Sequence, residues 1–286
     1  MSRAPALPDD TRPGRTALRV ADSAATIAFY RDVVGLRVLD RDGASATLGA
    51  GETPLLVALE DSDADPRGER ETGLYHTAFR VPSRGALGAA LERVRDGWTL
   101  DGASDHGISE ALYCTDPEGN GVEIYRDRPR GAWPRTDDGS VRATGGPLAL
   151  ADLATAAADP TPTGPQLVPD GTTVGHVHLE VSSLEATREF YAETLGLDVT
   201  MSYAPGALFF AAGDYHHHVG ANVWNERSTP ADGLGLAWFE LVVPEPAAVE
   251  TVRERLRGSE AAVGDVDGGI EVADPDGIAI RIRATE

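Results

Sequence analysis

The chain reads as an α+β protein of four modules, each a strand, a helix and then three strands, and three observations predict this. The segment ALRVADSAATIAFYRDVVGLRVL (17–39) aligns with HLEVSSLEATREFYAETLGLDVT (178–200), fixing a repeat of 161 residues. A second kind of unit, YHTAFRVPSRGALGAALERVRD (75–96), recurs as LAWFELVVPEPAAVETVRERL (236–256). Each of these latter units ends in an Asp-Pro-x-Gly turn, at 116–119 and 274–277. The modules therefore alternate in kind along the chain. They divide it into a first pair at 15–126 (15–60 and 73–126), a linker at 127–173 with one short helix, and a second pair at 174–286 (174–226 and 233–286).

Each element has its own warrant. In the first module a strand at 16–20 precedes a helix at 23–34, whose Ala25, Ile27, Ala28 and Phe29 give it an apolar face and which stops at Gly35. Strands near 36–40, 45–49 and 54–59 complete it. In the second module, Asp116-Pro117-Glu118-Gly119-Asn120 is a turn signal, with proline fixing φ and glycine free to take a positive φ. Glu110–Thr115 and Gly121–Tyr125 then form a hairpin. Alternation sets Gly121, Glu123 and Tyr125 on one side and Val122 and Ile124 on the other. A lone acid on a solvated sheet face is the commoner outcome. An acid between apolar neighbours in mid-strand is costly unless it is paired or bound to a metal.

The third module repeats the first, with elements at 176–181, 184–195, 197–203, 207–211 and 216–224. Between modules two and three lies a stretch rich in Pro, Gly, Asp and Thr, in which only PLALADLATAAAD (147–159) looks helical. It is a linker rather than a domain.

Composition narrows the functional classes. The 286 residues are 41% hydrophobic and 6% aromatic, a globular balance, and no apolar run reaches the ~18 residues of a spanning helix. The N-terminal MSRAPALPDD lacks the apolar core of a signal peptide, so a cytoplasmic protein with no membrane partner is expected. A net charge of -21 argues against nucleic acid. All 25 basic residues are Arg against 46 acids, the carboxylate-rich surface of proteins from high-salt cytoplasms. With Cys114 the lone cysteine, an all-thiolate metal site is excluded, and a metal would need His and carboxylate ligands.

HGISEALYCTDPEGNGVEIYRD, GLYHTAFRV, GHVHLEV and GDYHHHVGANVW together resemble the vicinal oxygen chelate superfamily, and most closely its catechol 2,3-dioxygenase-like group of ring-cleaving enzymes. The resemblance covers nearly the whole chain outside the linker. It implies that each module curls its sheet into half of a barrel, giving two half-open barrel domains. It also implies Fe(II), occasionally Mn(II), on two His and one Glu, with a small aromatic diol and O₂ as reactants.

Carried over residue by residue, the resemblance implies a first-strand ligand five residues before the valine that ends the strand, at His76 and His176. The last-strand position, four residues after a turn glycine, falls on Glu123 and His217. His76, Glu123 and His176 would hold the metal, and His217 would be the acid–base residue. His106 and Tyr113 match the family's supporting histidine and active-site tyrosine, and His178 is given a supporting or substrate role. Alternation turns His216 and His218 away from His217, in structural roles, and Asn222 and Trp224 receive none. For any one histidine, a hydrogen-bonded structural role is the commoner outcome; several at homologous positions are another matter.

The departures are informative. The corresponding positions in modules one and four hold Arg15, Leu55, Trp238 and Arg281, none of which binds a divalent metal. If modules pair in chain order, each barrel has two ligands. If module 73–126 pairs with module 174–226, all four groups converge in one catalytic barrel and modules one and four form a metal-free one. The function expected is an extradiol dioxygenase acting on a catechol or hydroquinone-like diol. The alternatives are a glyoxalase-like isomerase or lyase using all four groups as ligands, and a non-catalytic small-molecule-binding member. Oligomerisation is open.

Overall fold

The computed structural model describes residues 7–157, 167–258 and 261–285, which form two compact units. One comprises Ala17–Ala64 and His76–Val174. Its elements begin with β1 (Arg12–Val20), of which Ala17 onward belongs to this unit, and α1 (Ser23–Phe29). The Asp22 carboxylate accepts from the Ala25 N–H at 2.9 Å, satisfying one of the donors a helix start leaves open. The helix widens into a π turn over Tyr30–Val34, so that the amides of both Gly35 and Leu36 reach the Tyr30 carbonyl, at 3.0 and 2.8 Å. Gly35, at φ 93°, stops it where the sequence places the end. β2 (Arg37–Asp42), β3 (Ser45–Ala50) and β4 (Thr53–Glu60) follow, in sheet order β1-β4-β3-β2.

β5 (Gly73–Arg80), of which His76 onward belongs to this unit, then leads into α2 (Arg84–Gly97), capped by Ser83, and β6 (Gly102–Asp105), β7 (Ser109–Thr115) and β8 (Gly121–Asp127) follow. The linker does not run free of this unit. Its short strand β9 (Gly146–Pro147) pairs with β6, giving the order β5-β8-β7-β6-β9. Its helix α3 (Leu150–Ala156) lies so close to α2 that a Cβ at Gly88 would sit 2.6 Å from the Leu153 carbonyl. The helix expected over 147–159 starts at Leu150, and Ala158 and Asp159 lie outside the described residues.

The other unit comprises residues up to Thr16, Asp65–Tyr75 and Gly175 onward. It contains β10 (Thr173–Glu180) from Gly175, α4 (Leu184–Arg188) widening into a π turn at Glu189–Leu195, β11 (Asp198–Tyr203), β12 (Ala207–Ala211) and β13 (Val219–Asn222), in sheet order β11-β12-β13-β10. β14 (Gly235–Val243), α5 (Pro246–Leu256), β15 (Val263–Val266), β16 (Gly269–Ala273) and β17 (Ala279–Ala284) complete it, in order β15-β16-β17-β14. The two mixed sheets and few helices match the α+β class expected.

One device recurs in both units and explains the two sequence signals that define the repeat. The tyrosine of each Phe-Tyr pair donates its hydroxyl to the aspartate of an Asp-Pro-x-Gly turn: Tyr30 to Asp116 at 3.2 Å, Tyr191 to Asp274 at 3.0 Å. Each aspartate also accepts from turn amides, Asp116 from Glu118 and Asn120 and Asp274 from Asp276 and Ile278. Helix end and hairpin turn are thereby tied together inside the core.

Burial raises Asp274 to about 7, with the Asp276 charge pushing the same way and the hydrogen bonds opposing. An unfolded aspartate titrates near ~3.9, so the folded state binds this proton more tightly. The stabilisation is complete below that value and is lost as pH rises through 7. We therefore expect denaturant midpoints to show wild-type stability falling between pH 4 and pH 8, by up to ~4 kcal/mol. Asp274→Asn should flatten that slope.

Candidate functional site

The hairpin β7–β8 is built before its side chains matter. Asp116 accepts the amides of Glu118 and Asn120, Gly119 takes φ 87°, and the turn closes with Asp116 and Asn120 paired through their backbones at 2.9 Å. That turn fixes the register in which Tyr113 lies opposite Glu123. β5 runs parallel to β8, setting Ala78 beside Glu123 and His76 beside Gly121. The bed beneath is small and apolar, a buried cluster of Ala78, Ala111 and Tyr125 with Tyr113 packed on it.

On that bed His76 Nε2 lies 3.0 Å from Glu123 Oε2, and both side chains are buried. The other buried glutamates are answered differently. Glu110 is met by Arg84, Arg126 and Arg128, Glu180 by Arg67 and Arg227, and Glu240 by Arg15 and Arg283. Where those three acids meet guanidinium, Glu123 meets an imidazole.

His106 and Tyr113, both named from the resemblance, lie in hydrogen-bond contact. The two meet at 2.8 Å through His106 Nε2 and the Tyr113 hydroxyl, while His106 Nδ1 lies 3.1 Å from the Thr144 carbonyl. A carbonyl only accepts, so Nδ1 carries the proton and Nε2 accepts from Tyr113. Thr144, on the linker, is a residue that sequence reasoning missed. No local pattern announces a backbone carbonyl 38 positions from its partner.

In the other unit, β10 carries His176 and His178 on one face, with β13 parallel beside it and His178 opposite Gly220. A Cβ on Gly220 would lie 3.0 Å from His178 Cγ, so the glycine makes room for the imidazole. His217 stacks near His176, ring centroids 4.1 Å apart, and Phe209 touches both His217 and His178, at 4.9 and 5.5 Å.

The expected strand at 216–224 is shorter: β13 begins at Val219, and His216 and His217 lie in the preceding loop. Strand alternation does not govern them there. His216 does not point away from His217; the two Nδ1 atoms are 2.7 Å apart. His218 keeps a structural place, stacked on Tyr215 at 5.0 Å and accepting from the Ala212 amide at 3.3 Å.

The three residues that the resemblance names as ligands are each buried, His76 and Glu123 together in one unit and His176 in the other. Two imidazoles and a carboxylate are the donor set of facial sites that leave coordination positions open for other molecules. The positions at which modules one and four depart from the pattern are filled by groups that answer one another. Arg15 hydrogen-bonds Glu240 through both backbone and side chain, and Arg281 lies 4.1 Å over the Trp238 ring while bonding Glu271 at 2.7 Å. Burial works against the Glu240 carboxylate, yet the Arg15 hydrogen bonds hold it below the usual range. Leu55 is core. Cys114 is buried and its thiol is pushed up to about 12 by burial, which leaves it inert near neutrality.

Comparison with known proteins gives this geometry its context. The chain is 36% identical over 273 residues to a catechol-2,3-dioxygenase of Bacillus subtilis, covering 93% of this chain and 95% of the relative. A biphenyl-2,3-diol 1,2-dioxygenase of Rhodococcus globerulus is 35% identical over 107 residues, 36% of this chain and 56% of that protein. Among solved structures, glyoxalase I from Zea mays shares the fold, with a TM-score of 0.59 at 17% identity over 96% of this chain and 92% of that one. The expectation of an enzyme is borne out by the Bacillus homologue, and no helix among the described residues is long and apolar enough to cross a membrane. The family model of the Glyoxalase/Bleomycin resistance protein/Dioxygenase superfamily matches residues 12–124 and 173–282, and the chain belongs to that superfamily.

Proposed function

We propose that this protein is an Fe(II)-dependent extradiol dioxygenase that cleaves the ring of a catechol or hydroquinone-like diol with O₂, in the cytoplasm. The observation that carries the reading is the buried pair of His76 and Glu123, to which we assign His176 as the third ligand. The donor set fits such an ion. Imidazole nitrogen and carboxylate oxygen are donors such an ion takes, and His76 Nε2 and Glu123 Oε2 lie 3.0 Å apart with both side chains buried. Mn(II) would suit the same donors. The near full-length likeness to a catechol-2,3-dioxygenase supports the reaction class.

A metal held by His76, Glu123 and His176 would supply Lewis acidity toward the diol hydroxyls. The protein's own residues handle protons around it. His217 is the acid–base residue: its Nδ1 faces His216, so Nε2 is the atom that takes a proton from the diol and returns it later in the reaction. An imidazole suits this because its pKa lies near neutrality. Tyr113 orients a substrate oxygen, and His106, with Nδ1 committed to Thr144, steadies the Tyr113 hydroxyl through Nε2.

A glyoxalase-like isomerase would use His217 as a fourth ligand, whereas a pure binding protein would not need the metal for function. Anaerobic reconstitution with Fe(II), followed by O₂ uptake on a panel of catechols and hydroquinones, separates them. Uptake with a yellow ring-cleavage product is the expected result, and its absence across the panel would refute the reading.

Two variants sharpen the test. Glu123→Gln removes the carboxylate charge without changing shape, and should nearly abolish both iron content and turnover; a variant with wild-type values of each would refute the ligand assignment. His217→Asn should keep most of the iron and lose ~10² to 10⁴-fold in kcat, the usual contribution of a general acid–base group. Iron and activity lost in step would favour the four-ligand isomerase.

A further inference from the structure

Ring contacts run without a break from His176 to solvent. His176 meets His217 at 4.1 Å, His217 meets Phe209 at 4.9 Å, and Phe209 meets His178 at 5.5 Å. His178 in turn meets Trp224 at 5.4 Å and Tyr75 at 5.1 Å, and these last two meet each other at 5.4 Å. The outer end is open to water: Trp224 is 52% exposed and Tyr75 37%. Exposed rings of this size are unusual when grouped, and such a group marks a surface where a ligand can lie. Trp224 is held in place from behind, its Nε1 so close to Gly206 that a Cβ there would come within 2.8 Å. Its amide also donates to the Asn222 side chain at 3.1 Å.

The charges near this outer end are already matched. Glu180, whose charge raises the Tyr75 phenol in addition to the effect of burial, is held by Arg67 at 2.7 Å and Arg227 at 3.3 Å. The same two arginines donate to main-chain carbonyls, Arg67 to Leu74 and Glu71, Arg227 to Gly68. Guanidinium groups committed in this way do not reward an anionic substituent, and a protein of net charge -21 repels one at long range.

We propose that Trp224 and Tyr75 determine specificity by holding an uncharged planar substituent of the substrate against the ring wall that leads inward to His217 and His176. This rests on the ring-cleavage reading for the identity of the reacting half of the molecule. The substrate class is then a diol bearing an aryl or similarly flat, neutral group, rather than a bare catechol or a carboxylate-bearing one.

The test compares catechol, 3-phenylcatechol and a carboxymethyl-substituted catechol by O₂ uptake with iron-loaded wild type, Trp224→Ala, Trp224→Phe and Tyr75→Leu. The ratio of kcat/KM for the phenyl diol over catechol should fall roughly fivefold or more in Trp224→Ala and in Tyr75→Leu, and recover in Trp224→Phe. Equal loss on every diol, an unchanged ratio, or a wild-type preference for the carboxymethyl diol would overturn the proposal. A second measurement needs no metal and no turnover: calorimetric titration of 2-methoxybiphenyl, which cannot chelate, into protein prepared without iron. Binding that weakens in Trp224→Ala and persists in Trp224→Phe is expected. If wild type consumes no diol yet binds this probe in a Trp224-dependent way, the ring-cleavage reading fails and the subsite stands. Ring cleavage with no dependence on Trp224 in either assay sinks the subsite alone.

Discussion

A carboxylate held at 4% exposure, Glu123, is the constraint on which the candidate site depends. Removing a carboxylate from water costs several kcal/mol even after relaxation, and the cost is recovered only through excellent partners. Elsewhere this chain buries its glutamates against pairs or trios of guanidinium groups, which keep their charge at any relevant pH. At Glu123 the ion-pair partner is the imidazole of His76, charged only when protonated. On the proposed reading the pair serves a divalent ion, and a neutral imidazole is the form in which histidine binds one. The small residues beneath, Ala78 and Ala111, follow from the same need, since larger side chains would fill the space the polar heads require.

The repeats of the scaffold are tied at the same point. Tyr30 with Asp116, and Tyr191 with Asp274, fasten the end of a helix to the turn of a hairpin in the core. Four residues past Gly119 of the first turn lies Glu123, so a shift of one residue in that turn would throw the carboxylate to the opposite face. The aspartates serve twice, as acceptors for turn amides and as anchors for the tyrosines, and burial raises both. Stability and site geometry thus depend on the same few hydrogen bonds.

How much of this was legible in the sequence follows from the range of each signal. The strand, helix and turn of each module are local, and Gly35 or the Asp116–Asn120 turn announces its conformation through its own backbone preferences. His106 and Tyr113 were singled out through the family resemblance, and the hydrogen bond between them is local, seven residues apart. What failed was the extrapolation of strand parity into 216–218, where the chain is a loop and two successive histidines meet at their Nδ1 atoms. What was missed altogether was non-local: the Thr144 carbonyl, Gly220 under His178, and Trp224 joined to Tyr75 from a segment 149 positions away. Such contacts have no periodicity and no fixed residue type, so only the fold reveals them.

The positions that lack metal-capable residues carry the argument one step further. A strand position that faces inward beside a carboxylate must be filled by something that settles charge. Arg15 does so by donating backbone and side-chain hydrogens to Glu240, and Arg281 by bonding Glu271 while lying over Trp238. A guanidinium carries its own permanent charge and five donors, so it satisfies a buried acid without an exogenous ion. It also closes the coordination chemistry, since it cannot give up a proton to become a ligand. One fold therefore holds two solutions to one electrostatic problem. The self-contained one, with Arg15 and Glu240, supports structure. The other, with His76 and Glu123, sets against the acid an imidazole whose charge depends on its proton, and imidazole and carboxylate are both groups that can ligate a metal ion.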